Sequence, residues 1–239
     1  MKKFFLPLVI VASAVFVSAQ HLPNLPDKPA MQFESHSFCP PEGSTGGHGD
    51  PELNRHKNRI DASANYFAVD FAEIASLAFP QGVAGTLRSD WSASDRKAVE
   101  KDEGIPIVVE GFLAIVNNAH QGKPKLLQGA RPESGESCNC GSIKPSQVDF
   151  HIWLTSKPNN VRTNAIVVEM TPRVRAHHPT WTVNRLTTLA KNKTLVRISG
   201  WLMLDGQHPE QIAKTRGSLW EIHPIMKVEF KQGTTFKTL

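Results

Sequence analysis

The chain has 239 residues, 27 lysines and arginines against 22 acidic side chains, 40% hydrophobic residues and three cysteines. That balance excludes a strongly polybasic or polyacidic protein; it permits contact with phosphate-rich partners without demanding it. The length suits one domain or two small ones.

MKKFFLPLVIVASAVFVSAQ opens the chain as a secretory leader does. Lys2 and Lys3 supply a positive start, an apolar run follows from Phe4 to Val17, and Val17-Ser18-Ala19 places small residues at the cleavage spacing. The apolar run is short for a ~30 Å hydrocarbon core. No cysteine follows the cut to carry a lipid, and no later stretch is apolar enough to span a membrane. The expectation is a soluble exported protein, periplasmic or extracellular, with the short basic start of a bacterial one. Loss of Lys2 and Lys3 with the leader leaves 25 basic against 22 acidic side chains, a formal +3.

Residues 20–64 are rich in Pro, Gly, His and Asn, and PPEGSTGGHGD has no apolar period. They read as an arm lying on the domain, with Leu53 and Ile60 as anchors in the polar stretch that follows. ANYFAVDFAEIASLAFP begins like a strand and continues as a short helix around Phe71 to Leu77. In SASDRKAVEKDEG, Ser94 can cap a helix that Gly104 ends. The predicted organisation is a leader over 1–19, an irregular arm with a short helix over 20–91, and a barrel domain over 92–239.

The strands begin at Ile105. IPIVVEGFLAIV is a long apolar run in which Gly111 permits a bend. DFHIWLT and AIVVEMT alternate, VNRLTTLAK puts Val183, Leu186, Leu189 and Ala190 at helical spacing, and LVRISGWLMLD and SLWEIHPIMKVEF alternate again. Three strands, a helix and two strands resemble the OB fold, a mainly β, five-stranded Greek-key barrel. The resemblance covers roughly Glu103 to Phe230. VEGFL, DFHIWL, VVEMTPR, VRISGWLMLDGQHP and RGSLWEIHPIMKVEF also look like segments of uncharacterised exported bacterial proteins with this barrel. No activity comes with that likeness, and the Asp, Arg and Glu constellation of the better-known nuclease on this barrel has no positional match here. Fold likeness alone carries no function.

Strand alternation sorts side chains by face. Phe150, Ile152 and Leu154 turn inward, as do Ile166, Val168 and Met170, Val196, Ile198, Leu202 and Leu204, and Trp220, Ile222, Met226 and Val228. The opposite face carries Asp149, His151 and Trp153, then Glu169, then Arg197, Ser199 and Trp201, then Glu221, His223 and Lys227. Pro224 predicts a bulge or a partly unpaired stretch beside His223. The fold implied by the resemblance sets strand two beside three and three beside five, so His151, Glu169, Glu221 and His223 are expected to share one patch of outer wall. Such a patch can brace the arm without doing chemistry. Alternatively it can hold a divalent metal such as zinc and act as a metal or acid–base site.

Two further groups are candidates. In an exported protein Cys39 is expected to bridge to one of Cys138 and Cys140, or the thiols are incidental; the sharper alternative is that His36, Cys39, Cys138 and Cys140 assemble as metal ligands. TPRVRAHHPTWTVNR and DGQHPEQIAKTRG supply Arg173, Arg175, His178, Trp181, His208 and Arg216, basic and aromatic groups suited to a single strand of nucleic acid, a glycan or a protein. The leading expectation is therefore an exported OB-fold binding or accessory protein. The alternative is a metal-dependent, phosphodiesterase-like hydrolase built on His151, Glu169, Glu221 and His223.

Overall fold

Five strands close into a mixed barrel: β1 (Pro106–Leu113), β2 (Phe150–Thr155), β3 (Ile166–Met170), β4 (Leu195–Leu204) and β5 (Trp220–Gln232). The computed structural model describes residues 28–34, 38–44, 49–114, 116–117, 124–125, 136–158 and 162–239. The predicted leader over 1–19, His36 and much of the loop after β1 lie outside the described residues. Neighbours run β1-β2-β3-β5-β4, and pairing of β1 with β4 shuts the cylinder. β3 and β5 are parallel and the other barrel pairs antiparallel, so the expected OB-like architecture is present. Two strands add to it: Phe67–Ala68 lies parallel to β1, and β6 (Thr235–Thr238) extends β5.

The inward set forms the core. Ile152, Leu154, Ile166, Val168, Met170, Val196, Ile198, Leu202, Leu204, Trp220, Ile222 and Val228 are all buried in one apolar cluster. Each fully buried side chain of this size contributes ~1.5–3 kcal/mol relative to exposure. At Gly111 a Cβ would meet Leu154 Cγ at 2.8 Å and Thr155 O at 2.9 Å, so close approach of β2, and not only a bend, requires glycine there. The β4–β5 register shifts around Gly200, beside Pro224, and Ile225 joins the core although plain alternation had not turned it inward.

The arm is more regular than its composition suggests. α1 (Pro51–Asn58) starts at Asp50, whose carboxylate accepts from Leu53 N at 3.0 Å, with Pro51 in the first helical position. Leu53 anchors it as expected, while Ile60 is only half-buried. α2 (Phe71–Ser76) matches the predicted short helix. α3 (Ala93–Val99) is capped by Ser92, which accepts from Asp95 N at 3.1 Å; Ser94 sits inside the first turn instead. The arm is tied to the barrel by Arg88, which grips Glu103 with two bonds of 2.7 and 2.5 Å.

After β3 the chain makes α4 (Pro172–Arg175) and then α5 (Val183–Lys191), the helix expected between the third and fourth strands. Thr182 caps α5, and Leu186, Leu189 and Ala190 enter the core while Val183 is exposed. No helix among the described residues is long and apolar enough to cross a membrane.

Candidate functional site

The outer wall of β2, β3 and β5 carries the polar cluster. His151 pairs directly across from Glu169, and the parallel β3–β5 register of Val167 with Glu221 and Val168 with Ile222 brings Glu169 beside His223. The four residues predicted to converge do so. His151 Nε2 lies 3.5 Å from Glu169 Oε1, and His223 Nδ1 lies 3.7 Å from Glu169 Oε2 and 3.6 Å from Glu221 Oε2. On its other side, His223 Nε2 is 3.7 Å from Asp149 Oδ2.

The cluster is sealed except at His151, whose side chain is 23% exposed. Glu169, Glu221 and His223 are 3%, 1% and 0% exposed, and Asp149 is 2% exposed. α1 lies over it, together with a short turn at Ser137–Asn139, and the Cys39–Cys140 disulfide joins the segment before α1 to the residue after that turn. Asn58 donates to Cys138 O at 2.8 Å and Pro41 O at 2.9 Å, binding the two covers together. Arg173 holds them from below, reaching Asn58 Oδ1 at 3.0 Å, Cys39 O at 2.8 Å and Pro40 O at 3.0 Å.

The electrostatics are acidic. Lys57 of α1 pairs with Asp205 at 2.9 Å and Arg216 with Glu221 at 2.6 Å. Glu136, Asp149 and Glu169 have no lysine or arginine ion pair among the described residues. Burial, reinforced by Glu136 and Glu221, pushes the Glu169 carboxyl well up. Burial, with Asp149 beside it, also raises Glu136 and the Cys138 thiol. Glu221 goes the other way: burial opposes its charge, but Arg216 holds it below the usual carboxylate range. Burial lowers His223 and takes His151 down to about 4, so both imidazoles are neutral near pH 7.

Many of the facing atoms are unsatisfied. Asp149 Oδ1, Glu169 Oε2, Glu221 Oε2, His151 Nδ1 and both ring nitrogens of His223 find no hydrogen-bond partner. Separations of 3.6–3.7 Å are too long for hydrogen bonds between these types. Chemically, two neutral imidazoles among carboxylates can share protons or ligate a divalent cation.

The other candidates resolve differently. Cys39 bridges Cys140 with Cα atoms 5.7 Å apart, so neither offers a thiolate, and the His36, Cys39, Cys138 and Cys140 metal set does not form. His36 lies outside the described residues, and Cys138 is a free, buried thiol facing Glu136 and Asp149. The basic stripe does not assemble either. Arg173, Trp181 and Arg216 are buried, the first as the tie beneath α1, the second in the core and the third as the partner of Glu221. Arg175 lies half-buried over the Phe150 ring at 3.7 Å, His178 stacks on Trp181 at 4.0 Å, and His208 is exposed beside Glu210. Lys57, Glu136, Cys138, Asp149 and Asp205 belong to the cluster but were not among the predicted His/Glu group. Asp149 was readable, since it alternates with His151; the others arrive from distant segments.

A separate concavity opens on the opposite side of α1. It is a cleft of about 350 Å³ whose lining includes Lys28, His56, Arg59, Arg88, Trp91 and Arg96, and it does not contain the cluster. No family model, curated protein or solved structure matches the chain.

Proposed function

We propose that the protein is an exported binding protein for a small organic anion, and that the outer-wall cluster braces its arm instead of catalysing hydrolysis. The observation that carries this reading is the burial of Asp149, Glu169, Glu221 and His223 under α1 and the Ser137–Asn139 turn. A hydrolase must bring a substrate within hydrogen-bond reach of its base or metal-bound water. Sealed carboxylates and imidazoles are suited to fastening one element to another.

The cleft is where a ligand fits. Its volume lies at the lower end of the range for small-molecule sites. Lys28, Arg59, Arg88 and Arg96 stand on its walls with Glu52, Glu100 and Glu103; Arg88 pairs with Glu103, Arg96 with Glu52 and Arg59 with Asp61, and an acid entering the cleft shares these guanidiniums with their carboxylates. Arg88 Nε and Trp91 Nε1, both buried behind the cleft's surface, have no hydrogen-bond partner, and a carboxylate or phosphate group reaches them only where the wall gives way. The leader supports placement of this binding function outside the cytoplasm.

Calorimetric titration of the mature protein with small carboxylates and phosphate esters tests the reading. One acid is expected to bind at one per chain, and Arg96→Ala is expected to weaken it about tenfold, the loss of one charge-assisted contact. Turnover of a phosphodiester with zinc or manganese, abolished by Glu169→Gln, would overturn the reading in favour of the hydrolase.

A further inference from the structure

Brace residues normally satisfy one another, and these do not. In a dehydrated polar network each buried donor and acceptor finds a partner, or the network is less favourable than an apolar one. Here Asp149 Oδ1, Glu169 Oε2 and both nitrogens of His223 are orphaned at the centre of the cluster. All three residues are at most 3% exposed, so bulk water does not complete them. We propose that Asp149, Glu169 and His223 bind one divalent cation of the zinc class, which joins three barrel strands beneath α1.

Geometry, charge and donor chemistry agree. One ligand atom from each of the three residues lies within 4.8 Å of the other two. His223 Nε2 lies 3.7 Å from Asp149 Oδ2 and His223 Nδ1 lies 3.7 Å from Glu169 Oε2, both poor for hydrogen bonding. Either separation approaches the ~3.4 Å ligand-to-ligand edge that bonds of ~2.0–2.1 Å around a tetrahedral ion imply; one ring nitrogen serves as the ligand, and the farther carboxylate closes in from within 4.8 Å. The two local cations are already paired, Lys57 with Asp205 and Arg216 with Glu221. Positive charge is therefore missing at Asp149 and Glu169, where the orphaned atoms are.

The donor set selects the ion class. One imidazole with two carboxylates suits zinc and its neighbours better than the all-oxygen shells of calcium or magnesium. Glu136 and Cys138 form a second trio with Asp149, also within 4.8 Å, adding a soft sulfur next to the same carboxylate. The ligands come from the entry to β2, from β3 and from β5, directly beneath α1 and the Ser137–Asn139 turn. A cation there draws three strands together beneath their cover, as structural zinc sites do. This goes beyond the binding reading and stands whether or not the cleft takes an acid.

The test uses the full mature chain, stripped with a chelator and titrated with zinc under competition from a metal indicator. One zinc per chain is expected, with a raised melting temperature. Cobalt in its place should give the visible absorption of a low-coordinate site. Asp149→Asn and Glu169→Gln keep the shape of the site, so folding survives even where His223→Ala fails. Each is expected to weaken zinc by more than about 100-fold, beyond the 10–100-fold typical of outer-shell partners. Failure of the stripped protein to bind zinc, cobalt or manganese overturns the proposal. So does zinc bound equally well by the wild type and the isosteric variants, which would place the ion on surface histidines. Neither result touches the Arg96→Ala titration, so failure of the cation site and failure of the cleft are told apart.

Discussion

The two faces of the same strands obey different rules. Inside the barrel, Ile152, Val168, Ile222 and their neighbours fill a closed apolar volume, and each is supported by residues on adjacent strands. On the outer wall, one residue away along the same strands, Glu169, Glu221 and His223 would meet water but for α1 and the turn at Ser137–Asn139, while His151 at the rim stays partly exposed. The inner face is a property of the barrel. The buried state of the outer face is a property of the arm, imposed from about 100 residues away in the chain by the Cys39–Cys140 link and the Arg173 tie.

The largest effect belongs to the inner face. Trp220 is 1% exposed, fills the core and donates from Nε1 to Ala78 O at 3.2 Å. Trp220→Ala is expected to lower unfolding free energy by ~3–5 kcal/mol, read by urea denaturation. The loss should come without selective release of α1, as judged by limited proteolysis at 37 °C, because the ties of that helix run from Lys57 to Asp205 and from Asn58 to Cys138 and Arg173. A loss below ~1 kcal/mol would break the comparison, since it would mean the interior does not carry the stability assigned to it.

How much of this was legible follows the same division. The inward residues were readable because a strand exposes alternate side chains to alternate faces, and a buried face must be apolar throughout. Neighbour order came from the resemblance, and once it held, the meeting of His151, Glu169, Glu221 and His223 needed only register. Ile225 escaped because the shift at Gly200 resets the alternation. Arg173, Trp181 and Arg216 were misplaced for a stronger reason: charge and aromaticity favour a surface only until another segment covers it. Nothing local to Arg173 announces that the carbonyls of Cys39 and Pro40 will lie upon it. α1 was within reach of the sequence, since Asp50-Pro51 is a helix-start signal, but the low apolar content of the stretch obscured it.

A middle-sized effect sits where arm meets barrel. Burial opposes the Glu103 charge, yet Arg88 and His56 hold its pKa at about 2, below the ordinary 4.5. The folded value is the lower one, so the contribution is fully present above pH 4.5 and is lost as pH falls from 4.5 through 2. Between those limits the wild type is expected to lose about 3 kcal/mol more than Glu103→Gln does, from the separation of the two values. Denaturation midpoints measured from pH 5 to pH 2 check this. Parallel acid profiles for the two proteins would show that the arm's attachment does not depend on that carboxylate's charge.

The smallest effect sharpens the comparison most, because it keeps the strand chemistry and removes the cover. Glu110 on β1 stands directly across from Arg197 on β4, as His151 stands across from Glu169, and the pair makes a 2.6 Å contact. These side chains remain 46% and 36% exposed, so no segment seals them as α1 and the Ser137–Asn139 turn seal Glu169 and His223. Water screens them, and holding two long side chains in one arrangement costs entropy, so a double-mutant cycle with alanine should give a coupling of ~0.2–1 kcal/mol that fades in high salt. Arg197 also lies over the Phe236 ring at 3.9 Å, so Arg197→Ala alone should cost somewhat more than Glu110→Ala. A salt-insensitive coupling well above 1 kcal/mol would mean that this outer wall strengthens its charge pairs without a covering segment. The contrast between the bare and the arm-covered sectors would then fail.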